Sequence, residues 1–101
     1  MSEDEADGLA VPAFDATAAL QRLQRELRAA GLAERGGQFE RRGSAIAQLR
    51  LDGAVVQAAV VKRPSRSSPE WQRKTLHHAG DVRDFLADLK KRLALWSDRD
   101  D

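Results

Sequence analysis

The sequence predicts an α+β fold, a single domain of order α-β-β-β-β-α whose antiparallel sheet is covered on one face by two helices. Three observations predict it. An Asp-Gly pair at Asp52-Gly53 lies between two strand-like runs, 44–51 and 54–61, and is a strong short-range hairpin signal. An amphipathic stretch flanks the strand region on each side, at 16–30 and 82–96, with apolar residues recurring at helical spacing. Gly, Pro and Ser clusters punctuate the chain between these segments.

Taken in order, residues 1–12 combine an acidic cluster, Glu3, Asp4, Glu5 and Asp7, with Gly8 and Pro12, and are expected to form a disordered arm. The domain is expected over 13–97, and 98–101 form a short acidic tail. Asp15 is a good N-cap for a helix over 16–30, in which Ala16, Ala19, Leu20, Leu23, Leu27 and Ala30 share one face. Gly31 supplies the position after the helix, and Leu32 can fold back on Leu27 in a Schellman ending. Gly36-Gly37 reads as a break. A short edge strand over 38–42, with Phe39 facing inward, then precedes a turn near Gly43-Ser44.

A two-residue loop at Asp52-Gly53 pairs Leu51 with Ala54, Leu49 with Val56, Ala47 with Ala58 and Ala45 with Val60, an apolar face. The reverse face pairs Arg50 with Val55, Gln48 with Gln57 and Ile46 with Ala59, and ends at Val61. The run Arg63-Pro64-Ser65-Arg66-Ser67-Ser68-Pro69 is expected to be a mobile loop. A fourth strand over 70–78 puts Trp71, Arg73, Thr75 and His77 on one side. The last helix is expected to start behind Gly80, with Asp81 as cap and Asp84 favouring its positive end. Val82, Phe85, Leu86, Leu89, Leu93 and Trp96 form its apolar stripe.

The formal charge of +1 conceals a segregation. Seven of the 16 acidic residues and one of the 17 basic ones, Arg99, lie in the two ends, which leaves residues 8–97 with 16 bases, nine acids and a net +7. A basic body attracts anionic partners, and acidic ends shield it. With no cysteine, disulfides and thiolate metal sites are excluded, and the cytoplasm is the expected compartment. No stretch approaches the roughly 20 apolar residues of a membrane span.

Few residues carry chemistry. His77 and His78 are adjacent, so on a strand they point to opposite faces and do not converge on one metal ion. One of them can serve as a general base, a property shared with most surface histidines. Gly36-Gly37 and Gly43 lack the spacing and the lysine of a phosphate loop, and Ser44, Ser65, Ser67 and Ser68 sit in no nucleophile motif. Asp15, Asp52, Asp81 and Asp84 are explained as caps and turn residues. No cofactor, no metal and no catalytic residue is therefore expected, and the chain is read as a non-enzymatic binding or adaptor module.

Two kinds of partner fit that reading. Ile46, Val55, Ala59 and Val61 on the reverse sheet face are expected to be partly exposed, unless the arm or the 64–69 loop folds over them, and so mark a protein interface or a homodimer. Alternatively, Arg41, Arg42, Lys62, Arg63, Arg66, Arg73 and Lys74 cluster at the rim of the strands, as phosphate contacts for an RNA or DNA duplex. The element order is similar to that of double-stranded RNA-binding domains and of the small ribonuclease toxins that share their plan, which adds a ribonuclease-type toxin as a minor alternative. The similarity is of order alone. Ala45 follows Gly43-Ser44 where such toxins carry a histidine, and Asp81-Val82-Arg83-Asp84 stands where the RNA binders start their last helix with lysines.

Overall fold

The computed structural model describes residues 14–99 in backbone and 14–96 in side chains. The arm expected over 1–12 lies outside the described residues, as do Asp100 and Asp101 of the tail. The order is α1 (Ala16–Ala29), β1 (Ala33–Arg35), β2 (Gln38–Arg41), β3 (Ser44–Asp52), β4 (Val55–Val61), β5 (Trp71–Leu76) and α2 (Ala79–Arg99). All five strands join in sequence order as one antiparallel meander. The fold is α+β, with five strands rather than four.

Helix α1 begins and ends as its sequence dictates. The Asp15 carboxylate accepts from the Ala18 N–H at 3.0 Å, satisfying one of the donors that a helix start leaves open. At the other end the Leu32 N–H donates to the Leu27 carbonyl and the Gly31 N–H to that of Arg28, the two bonds of a Schellman motif.

The additional strand arises because Gly36-Gly37 is a hairpin turn and not a break. Both glycines have positive φ, 59° and 86°, and Arg35 pairs with Gln38 across them, as a two-residue primed turn requires. Gly37 also packs tightly on β3: its carbonyl accepts from Leu49 N–H at 2.9 Å, and an added Cβ would lie 3.0 Å from the Leu49 oxygen. The next turn is Arg42-Gly43, one residue earlier than the sequence suggested, since Arg41 pairs with Ser44.

The central hairpin also turns one residue away from expectation. Asp52 pairs with Val55, so the loop is Gly53-Ala54, with the glycine at the first central position and φ of 60°. That is the arrangement of a II′ turn. The pairs become Leu51 with Val56, Leu49 with Ala58, Ala47 with Val60, Arg50 with Gln57 and Gln48 with Ala59. Each partner slips by two residues, and because side chains alternate with period two, every residue keeps its predicted face.

On the helix face, Phe39, Ala47, Leu49, Val56, Ala58, Val60 and Leu76 are buried with Leu23, Leu27, Val82, Phe85, Leu89 and Leu93 from the helices. Full burial of each large member contributes roughly 1.5–3 kcal/mol. Helix α1 packs on β3 and β4, α2 packs on β5, and the helices touch each other. Lys90 of α2 reaches Glu26 of α1 at 2.9 Å, and this hydrogen-bonded ammonium holds the Glu26 carboxyl below its ordinary value.

Helix α2 starts differently from expectation. Gly80 lies inside it, and His78 stands before it, its Nδ1 accepting from the Asp81 N–H at 3.3 Å. Asp81 reaches back instead, accepting from the His77 N–H at 2.9 Å. At the far end α2 runs through Arg99, into the segment expected to be tail. Among the described residues no helix is long and apolar enough to cross a membrane.

Candidate functional site

The basic residues divide by what they meet. On the helix side, Arg28, Lys90 and Arg92 are committed to Glu34, Glu26 and Asp88 at 2.7, 2.9 and 2.8 Å. On the strands and the β4–β5 loop, Arg35, Arg50, Lys62, Arg63, Arg66, Arg73 and Lys74 make no side-chain hydrogen bond or close ion pair with a described residue. Arg22, Arg25 and Lys91 on the helices are likewise exposed and make no such bond, so seven of these ten uncommitted cations lie on strands and loop.

One end of the sheet holds a cavity of about 420 Å³ lined by Arg41, Arg42, Ser44, Ile46, Arg63, Pro64, Arg66 and Trp96, of which Arg63 and Arg66 belong to the uncommitted set. Three elements build it. The β2–β3 turn contributes Arg41, Arg42 and Ser44, and it holds Arg42 at φ 54°, a left-handed conformation uncommon for a side-chain-bearing residue. The 62–70 loop contributes Arg63, Pro64 and Arg66. Far from being shapeless, this loop is closed at its base by Lys62 N–H to Glu70 carbonyl at 2.9 Å, and Ser65 Oγ accepts from the N–H groups of Ser67 and Ser68.

The third element is α2. Arg92 donates to the Val61 carbonyl at 3.3 Å and to Gln72 Oε1 at 2.7 Å, fixing the helix to the ends of β4 and β5. Trp96 follows one turn later, half-buried, packed in part against the core and in part lining the cavity. No carboxylate is among the described residues that line this space. Low-dielectric walls and one sign of charge focus the field on an anion.

The two residue sets expected from sequence fare differently. Of the reverse-face aliphatics, Ile46, Ala59 and Val61 are buried and only Val55 is half-exposed, so the expected surface patch is absent from the described face. Among the described residues, Ile46 lies beside Pro64 and Trp96 at the sheet end, and Ala59 is flanked in register by Gln48 and Arg73. Of the basic set, Arg41, Arg42, Arg63 and Arg66 converge. Arg73 instead lines a 290 Å³ hollow on the uncovered face with Gln38, Gln48, Arg50 and Gln57. Lys74 and Arg73 border a third groove, which also holds Asp84 and Asp88 and is mixed in charge.

Trp96 was absent from either expected set because it completes the α2 apolar stripe, and its second role depends on a loop whose path no periodicity encodes. The histidines sit just past β5, both exposed, on either side of Asp81: Nδ1 of His77 lies 3.8 Å and Nε2 of His78 3.5 Å from its oxygens. The His77 N–H holds the Asp81 carboxyl below its ordinary value. Among the described residues no group of three or more His, Cys, Asp or Glu is placed to hold a metal ion.

Comparison of the chain with family models, with curated proteins and with solved structures found no match.

Proposed function

We propose that this protein is a non-catalytic module that binds the phosphate backbone of a nucleic acid at the arginine-lined end of its sheet. The observation that carries the reading is the convergence of Arg41, Arg42, Arg63 and Arg66 on one cavity without a carboxylate among its described lining. Guanidinium groups suit phosphate because each presents a planar fork of donors. The uncommitted Arg50 and Arg73 extend the positive track over the uncovered sheet face, beside the amides of Gln38, Gln48 and Gln57. Self-association through the reverse face has less support, since it needed Ile46, Ala59 and Val61 at the surface.

The test is anisotropy of a labelled oligonucleotide at several salt concentrations, with light scattering on the same samples. The uncommitted pair Arg63 and Arg66 alone corresponds to a slope of roughly −1.4 to −1.8 in log K against log salt. Replacing Arg63 and Arg66 together by Glu is expected to weaken binding by at least tenfold at low salt. Absence of binding at 50 mM salt, or a variant that binds like the parent, refutes the reading. A concentration-dependent dimer that binds no nucleic acid would favour the protein interface instead.

A further inference from the structure

We infer that the cavity between the β2–β3 turn, the 62–70 loop and the end of α2 takes an unpaired nucleotide, its base stacked on Trp96 and its phosphate held by Arg63 and Arg66; this rests on the nucleic-acid reading above. Backbone contact alone does not require an aromatic ring. Here a tryptophan lines the same space as four arginines, beside Pro64 and the buried Ile46, so aromatic and guanidinium groups border one cavity. Bases present π-faces, and their phosphates lie within one nucleotide of them, which is the pairing such a space matches. A base held inside a duplex cannot enter.

The volume agrees. At about 420 Å³ this half-open cavity falls within the roughly 300–1,000 Å³ typical of small-molecule pockets, room enough for one nucleotide. The ring is also held in place from behind: Trp96 packs partly against the core, and Arg92 one turn earlier ties α2 to Val61 and Gln72. A fixed platform loses little freedom on binding. Ser44 adds a hydroxyl to the lining, able to bond a base edge or a sugar.

Tryptophan emission tests this directly, because the chain has only Trp71 and Trp96. Trp71→Phe leaves Trp96 as the sole emitter. It is titrated with a dye-labelled oligothymidine of about ten nucleotides and with a duplex of equal length, reading emission and dye anisotropy together. The expected result is quenching of Trp96 by the single strand with the same midpoint as the anisotropy, and a duplex that binds several-fold more weakly and leaves the emission unchanged.

Trp96→Leu in the otherwise native chain provides the second measurement. It should lower single-strand affinity about tenfold, the worth of one stacked base, and leave duplex affinity unaltered. Binding by anisotropy with no change in Trp96 emission, or equal loss of single-strand and duplex affinity in Trp96→Leu, overturns the inference and spares the backbone reading. No anisotropy change with either probe overturns both.

Discussion

Arg42 occupies a position where a hairpin usually places glycine or asparagine. Left-handed backbone costs an L-residue roughly 1–2 kcal/mol, less at a φ of 54°, near the centre of the allowed region. The turn thus tolerates a guanidinium where a smaller residue would fold more easily, and that guanidinium lines the cavity. Arg42→Asn removes that guanidinium from the lining and is expected to weaken oligonucleotide binding three- to tenfold by anisotropy, with the relieved backbone cost offsetting the lost side-chain interaction so that the melting midpoint stays within a few degrees of the parent. A loss of both together would make the residue structural. At this scale sequence was informative about residue type more than about place. Arg41, Arg42, Arg63 and Arg66 were recognisable as members of a basic set, but a residue such as Trp96 serves core and cavity at once, and only the three-dimensional path of the 62–70 loop reveals the second use.

Among the elements, α2 depends most visibly on solution conditions, because its first turn is tied by Asp81. The carboxylate accepts from the His77 N–H, and that bond lowers its pKa in the folded state relative to the unfolded chain. A depressed carboxyl contributes stability that is present above the unfolded value and lost as pH falls through the folded one. Stability measured by urea midpoint should therefore decline below about pH 4, the ordinary aspartate range. Asp81→Asn keeps an oxygen to accept the bond and removes the titrating charge, so part of that decline should vanish in the variant. An identical acid profile would assign the dependence to other carboxylates.

The elements were also where sequence reading succeeded best and slipped by small, explicable amounts. Cap and Schellman residues marked α1 because those interactions are local. The hairpin turns were displaced by one residue, since Asp52-Gly53 is compatible with either primed turn and the choice between them is made by packing along the whole of β3 and β4. Strand β1 escaped notice because Ala33-Glu34-Arg35 is too short to show a hydrophobic period and its half-buried residue is a glutamate.

Over the whole molecule the charge distribution is the dominant fact. The body carries a net +7 and the acidic groups at the two ends reduce the total to +1. Long-range attraction scales with that total at low ionic strength, while contact energies at the cavity do not. Replacing Glu3, Asp4, Glu5 and Asp7 by their amides raises the net charge from +1 to +5. The association rate with an oligonucleotide at 20 mM salt should rise several-fold by stopped flow, and the gain should shrink towards nothing at 300 mM. A salt-independent gain would mean that these residues compete at the cavity itself.

Among the described residues the meander has two margins, and neither invites another chain. One is β1, only three residues long; the other, β5, presents Arg73 and Lys74 in its middle. Short or cationic margins discourage intermolecular backbone ladders. Copies crowded shoulder to shoulder on one long polymer thus lack a template for fusing into ribbons, and a high local density carries little drive towards fibres.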